Sequence, residues 1–230
     1  MPLFMISENP DPLLSVHLDV GEHLVVAPES LVALSEGLHL DSEHADSVLY
    51  TLTQVILRGN RPRRQLVEAT GTQGDILIAP VFPGGIVLFE VGEITFKFSS
   101  HAFLASSSGV CLKKTTSPLY HGGSPILEAT GNGTLVLACY GSMCRLQVED
   151  EKPILANSEQ LVAWDSRLIL ERVSSARLLL FGRQKKIPEA LLRVRGKGSL
   201  YMASRRPDAM LRTLLRHLPP GMRAMWRMGK

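Results

Sequence analysis

The segment Gly74-Asp75-Ile76-Leu77-Ile78-Ala79 has two further copies along the chain. They are Gly133-Thr134-Leu135-Val136-Leu137-Ala138 and Gly198-Ser199-Leu200-Tyr201-Met202-Ala203. Each opens on a turn glycine, passes one residue and then three mostly apolar ones, and ends on alanine. The first two follow Glu68-Ala69-Thr70-Gly71 and Glu128-Ala129-Thr130-Gly131, and the third follows Arg195-Gly196.

Working outward, a second motif alternates with the first. It pairs Val20-Gly21-Glu22 with Leu31-Val32-Ala33, then Val91-Gly92-Glu93 with Phe103-Leu104-Ala105, then Val148-Glu149-Asp150 with Leu161-Val162-Ala163. Either motif alone is weak, because glycine and alanine are common. Their alternation in one order, three times, predicts a unit of about 60 to 70 residues in triplicate. The expected boundaries are about 15–80, 81–145 and 146–204, within one β-domain over 1–204. The segment 205–230 stands apart as a basic helix and tail.

Inside the units the period is that of strands. Ile94, Phe96 and Phe98 alternate with Thr95 and Lys97, and Leu192 and Val194 alternate with Arg193 and Arg195. Such a period places one face on a core and one in water. Pro83-Gly84-Gly85 and Gly122-Gly123 mark tight turns. Ser106-Ser107-Ser108-Gly109 reads as a hairpin loop. These patterns predict an all-β sandwich or barrel and not an α/β fold. Three such units are expected to pack around a pseudo-threefold axis. The third copy reads as shortened, with a buried strand at Leu178-Leu179-Leu180-Phe181 and a surface loop over Arg183 to Lys186.

Bulk properties narrow the class. Of 230 residues, 45% are hydrophobic and 20% charged, which is normal for a folded globular chain. Aromatics are 6%, so aliphatic side chains must build the core. No run of about 20 apolar residues offers a membrane-spanning helix. Met1 to Pro12 lacks the basic and apolar regions of a signal sequence. Three cysteines, Cys111, Cys139 and Cys144, do not make a disulfide framework and fit a reducing cytoplasm.

Several short stretches resemble a known family. They are Pro83-Gly84-Gly85-Ile86, Ala102-Phe103-Leu104-Ala105-Ser106, Gly131-Asn132-Gly133 leading to Tyr140-Gly141, Leu161-Val162-Ala163-Trp164, and the run from Gly196 to Arg205. The family is that of altered inheritance of mitochondria protein 24, which has many bacterial members. The resemblance covers about Leu18 to Leu218. It implies a fold similar to the tryptophan RNA-binding attenuation protein, with three double-stranded β-helix-like units per chain. It brings no established catalytic motif. Fungal members are associated with the mitochondrial inner membrane, and the absence of a presequence here favours a bacterial cytoplasm.

Catalytic and metal-binding readings find little support in the residues. A cupin-type metal site needs two histidines one residue apart, and none of the seven histidines is so placed. His39, Asp41 and His44 form the one loose cluster. Cys139 and Cys144 lack the spacing of a zinc knuckle and read as small buried residues. Cys111 beside Lys113 and Lys114 reads as a core or edge cysteine. No serine sits in a Gly-x-Ser-x-Gly turn, and no glycine loop has the spacing of a phosphate loop. No cofactor is expected. The body has few aromatics and no basic–aromatic stripe, so nucleic acid is a poor fit.

The charge is uneven. Residues 205–230 carry seven basic side chains and one acidic one, a net of +6. The remainder carries 18 basic against 21 acidic, a net of −3. Pro207 and Asp208 suit a helix start. Met210, Leu211, Leu214, Leu215 and Leu218 then recur at helical spacing, until Pro219-Pro220-Gly221 stops the helix. The simplest role for that stripe is packing on the β-body. The alternative is contact with a membrane surface or partner, through Arg212, Arg216, Arg223, Trp226 and Arg227.

Together these features predict a non-enzymatic scaffold or interaction protein, cytoplasmic, with the tail as a candidate membrane-peripheral contact. Its expected partners are another protein, a second copy of itself, or an anionic membrane surface. The competing readings are a small-molecule or metal-binding enzyme with a pocket in the β-body, and an RNA-binding protein.

Overall fold

A computed structural model describes residues 1–7, 11–41, 65–115, 125–173, 178–180, 183–185 and 191–206, with Ala209, Met210, Thr213 and His217. The chain is almost entirely β, as its period-2 patterns predict. Apart from two short 3₁₀ turns, Ser100–Ala102 and Ser158–Gln160, the described residues before the tail form strands and connections.

Six strands recur in the same order in three segments. In the first they are Leu14–Leu18, His23–Val26, Leu31–Leu34, His39–Asp41, Gln65–Glu68 and Gly74–Ile78. In the second they are Ile86–Val91, Phe96–Ser99, Phe103–Ser107, Val110–Thr115, Ile126–Gly131 and Gly133–Ala138. In the third they are Met143–Val148, Ile154–Asn157, Leu161–Asp165, Ile169–Arg172, Leu191–Arg195 and Gly198–Ala203. Within each segment the first, sixth and third strands pair side by side, and so do the fourth, fifth and second. Every ladder between these strands is antiparallel.

The segments join through one repeated contact. The second strand of the first segment pairs with the third strand of the second, with Val26 opposite Ala105. The second strand of the second segment pairs in the same way with the third strand of the third, with Phe98 opposite Ala163. Each joint fuses two three-stranded halves into a six-stranded sheet. The third strand carries a register shift at the same place each time: Leu31/Ala33, Phe103/Ala105 and Leu161/Ala163. A bulge here bends the strand and increases its twist.

Three apolar clusters fill the segments in turn. Leu14, Val16 and Leu18 meet Leu24, Val26, Val67, Ile76 and Ile78 in the first. Phe89, Phe96, Phe98, Leu127, Leu135 and Leu137 form the second. Ile126, Val148, Leu161, Trp164, Leu192, Val194 and Leu200 form the third. The alternation over 192–195 holds, with Leu192 and Val194 buried and Arg193 and Arg195 exposed. In the other, Phe96 and Phe98 are buried and Lys97 half-buried, but Ile94 precedes the strand and is 40% exposed, so it does not share their core face.

Four local expectations change. Leu18, not Val20, occupies the place of Val91 and Val148: Leu18 pairs with Gly74 as Val91 pairs with Gly133 and Val148 with Gly198. Val20 and Gly21 instead form the turn after that strand, where Val20 is exposed. Ser106 and Ser107 are buried in a strand, and Ser108-Gly109 leads into a different sheet, so this is a corner between sheets and not a hairpin. The third segment is not a shortened copy, since it keeps all six strands and adds a hairpin. That hairpin pairs Leu178–Leu180 with Arg183–Lys185, so the expected surface loop is in part a strand. Finally, Cys144 is exposed, whereas Cys139 is buried as expected.

A candidate interaction site where the tail meets the body

The basic segment begins at a built junction. Gly141 adopts a left-handed conformation with φ +78°. A Cβ there would press on Ser204 and Arg205. Glycine therefore lets the Tyr140-Gly141-Ser142 turn lie against the end of the strand Gly198–Ala203. The Ser204 amide donates to the Ser142 carbonyl at 2.8 Å, and the Ser142 amide donates to Ser204 Oγ at 2.8 Å. Gln160 Nε2 adds a bond to the Ala203 carbonyl at 3.1 Å. The chain thus leaves the body in a fixed direction.

Tyr140 organises what comes next. Its hydroxyl donates to Met210 Sδ at 2.8 Å. The Arg205 guanidinium stands 5.9 Å from its ring centroid, within reach of a cation–π attraction. The Phe82 ring is tilted against it at 5.9 Å. Arg206 is ion-paired to Glu159. The Met210 amide donates to the Arg206 carbonyl at 3.2 Å, and Thr213 Oγ1 to the Ala209 carbonyl at 2.9 Å. Both are i to i−4 bonds, and Ala209, Met210, Thr213 and His217 are helical. Among the residues of the expected helix that the structure describes, Met210 is the one tied to the body through Tyr140.

The junction also presents apolar surface. Val81, Phe82 and Met210 are all large exposed hydrophobic residues, Phe82 at 49% and Met210 at 44%. An apolar face beside Arg205 is the amphipathic combination that interfacial and partner-binding surfaces use. Sequence reasoning did not single out Val81 or Phe82. The available signal was Pro80-Val81-Phe82-Pro83, where flanking prolines keep an apolar pair out of a sheet interior. The five tail residues Arg212, Arg216, Arg223, Trp226 and Arg227 lie outside the described residues.

Other candidates are simpler. His39 and Asp41 share the strand His39–Asp41, one residue apart, while His44 lies outside the described residues. Among the described residues, no three His, Cys, Asp or Glu side chains gather in a metal-binding group. Cys111 is exposed on an edge strand. Burial pushes the Cys139 thiol up, against an opposing hydrogen bond from the Gly85 backbone. Burial also opposes ionisation of Asp165. The hydrogen bonds and charge of Arg167 outweigh it and hold that carboxyl below the ordinary range.

Comparison with known proteins follows the same boundary. The family described as "Mitochondrial biogenesis AIM24" matches residues 4–205. The chain belongs to the AIM24 family. Its match ends where the basic segment begins. Among AIM24-like relatives, an uncharacterised protein of Streptococcus pyogenes serotype M6 is 24% identical over 220 residues, covering 90% of this chain and 87% of that protein. A crystal structure of a Streptococcus pyogenes protein, a structural-genomics target, superimposes with a TM-score of 0.76 at 22% identity. The likeness covers 95% of this chain and all of that one, and establishes a shared fold. Among the described residues, no helix is long and apolar enough to cross a membrane.

Proposed function

We propose that this AIM24-family protein is a non-enzymatic interaction scaffold. Its β-body holds the basic segment 205–230 against an anionic partner, and a membrane surface rich in acidic headgroups suits it best. The carrying observation is the junction: Phe82 and Met210 are exposed beside Arg205, at the point where a net charge of +6 leaves an acidic body. An apolar face can enter the headgroup boundary while the arginines reach lipid phosphates. Each basic side chain near such a surface contributes about 1 kcal/mol. On this reading the protein works in the cytoplasm and associates with membranes from their surface.

The proposal is tested by co-sedimentation of the full chain with vesicles of anionic or purely zwitterionic phospholipid. Binding to anionic vesicles, weakened by salt and by Phe82→Ala, supports it. Equal binding to both vesicle types, or tighter binding to single-stranded RNA than to anionic vesicles, overturns it.

A further inference from the structure

Several of the described sheets end on an open edge, as at Leu31–Leu34 and Ile154–Asn157. The first strands of the three segments show how such an edge can be covered. In the first segment an added strand, Leu3–Ile6, pairs with the outer side of Leu14–Leu18. It brings Phe4 opposite Val16 and Ile6 opposite Leu14, and both side chains pack against the first apolar cluster. In the other two segments the first strand, Ile86–Val91 or Met143–Val148, is the last of its sheet, with no added strand beside it among the described residues. An unpaired edge is a template for an extended chain.

The two uncovered edges are not alike. Counted from the matching pairs of Leu18, Val91 and Val148, Val16 corresponds to Phe89 and Leu146, and Leu14 to Val87 and Cys144. Beneath the added strand, Leu14 and Val16 are fully buried. The second segment closes its edge from within: Phe89 is 3% exposed, and its ring centroid lies 4.7 Å from that of Tyr201. In the third segment Leu146 is half-buried and Cys144 is exposed. Two core-facing positions there meet water, at the places that Phe4 and Ile6 cover in the first segment. Between them stands a charge. Arg145 corresponds to Ser15, which faces Met5 of the added strand. Arg145 is exposed, and its Nε donates to Ser199 Oγ at 3.0 Å. Ser199 Oγ donates in turn to Gln147 Oε1 at 3.3 Å, which holds the guanidinium along the edge strand. Among the described residues no carboxylate pairs with Arg145.

We propose that the outer edge of Met143–Val148 binds an extended segment of another protein as an added antiparallel strand, with apolar residues opposite Leu146 and Cys144 and an acidic residue opposite Arg145. Main-chain bonds supply the pairing, and the alternate side chains choose the partner. The two apolar residues extend the third cluster beside Leu146 and Met202. The acidic residue faces the Arg145 guanidinium across the pair, where an opposite charge attracts and a like charge repels. Gly85 stands against Met143, so the free stretch is Cys144 to Gln147. That stretch corresponds to the residues of Leu14–Leu18 that Leu3–Ile6 covers. The chain's own N-terminal strand offers Met5 where the site calls for an acid, so a second copy matches the edge less well. This inference stands independently of the proposed membrane role.

Cys144 reports on its own site. In a chain carrying Cys111→Ser it is the one exposed cysteine, because Cys139 is buried. The rate of its alkylation by iodoacetamide is measured with a blocked extended peptide whose centre reads Ile-Glu-Val, and again with Ile-Lys-Val in its place. In the antiparallel register the peptide's valine lies opposite Cys144. The proposal expects the acidic peptide to slow alkylation severalfold and the basic one to leave it unchanged. In a chain that also carries Arg145→Glu the preference should reverse, a result that a folding defect does not produce. No protection by the acidic peptide, or equal protection by both, overturns the proposal. A peptide copying Leu3–Ile6 that protects better than the acidic one overturns the choice of partner.

Discussion

The hydroxyl of Tyr140 donates to the sulfur of Met210 at 2.8 Å, tying the first turn of the basic segment to a loop of the second segment. Removing that tie should release the segment without unfolding the body. Tyr140→Ala deletes the contacts to Met210, Arg205 and Phe82 together, whereas Tyr140→Phe deletes the hydrogen bond alone. Tryptic cleavage between Arg205 and Arg227 should accelerate severalfold in Tyr140→Ala and less in Tyr140→Phe. Global stability should fall by no more than about 1 kcal/mol, as for other exposed contacts. Equal cleavage rates in all three proteins would contradict the docking.

Asp165 links acid stability to a joint between segments. It is buried, and Arg167 donates to its Oδ1 from the backbone amide and from Nε, each at 3.0 Å. Its folded pKa lies below its unfolded value. The stabilisation is therefore present above the unfolded value of about 3.9 and is lost as pH falls through the folded one. Asp165→Asn should cost about 1–3 kcal/mol at neutral pH. It should also flatten the decline in stability below about pH 4. Denaturant melts across pH 3 to 7 provide the measurement. An unchanged acid limb would show that Asp165 is not coupled to folding.

Gly84 packs against backbone with no room for a side chain. It forms a parallel bridge with Gly141, and a Cβ would overlap the Cys139 carbonyl oxygen. Backbone cannot swing aside as a flexible side chain can. Gly84→Ala should therefore cost about 1–3 kcal/mol. A thermal melt within experimental error of the parent would show that the loop relaxes freely.

Phe98 is fully buried and belongs to the strand that joins the second segment to the third. Phe98→Ala should cost about 3–5 kcal/mol, at the high end for a single truncation. Leu155→Ala at the open edge should cost far less, because its side chain is already half in water. Equal losses from the two would mean that the open edge is as well packed as the internal joint.

Much of the fold was legible because the repeat recorded it. The strand from Gly74 and its copies align in space as they do in sequence, with Leu31, Phe103 and Leu161 paired to Ile78, Leu137 and Met202. The motif at Val20 misled because Val20-Gly21-Glu22 resembles its copy at Val91 while lying in the turn after Leu18, the residue that pairs as Val91 does. Ser106 and Ser107 misled because small polar residues mark turns in general, yet here their backbone continues a strand. In that strand Ser107 Oγ accepts from the Thr134 amide at 2.9 Å. The hairpin at Leu178 was half visible, since its second strand, Arg183–Lys185, is polar in sequence and carries no apolar alternation. The junction at Tyr140 was not legible. It depends on residues from 82 to 210 meeting in three dimensions, and no local pattern encodes that meeting. The open edges were also hidden, because Leu31-Val32-Ala33 looks like its two buried copies and only the pairing shows that it lies outermost.

The central claim is that the basic segment, presented by the body, carries contact with an anionic surface. Titration of anionic vesicles into the full chain tests it most directly, comparing the parent with Arg212→Gln, Arg216→Gln, Arg223→Gln and Arg227→Gln combined. At about 1 kcal/mol for each arginine, the account predicts a loss of affinity between tenfold and about a thousandfold, with thermal stability unchanged. Vesicle affinity equal to that of the parent would contradict it.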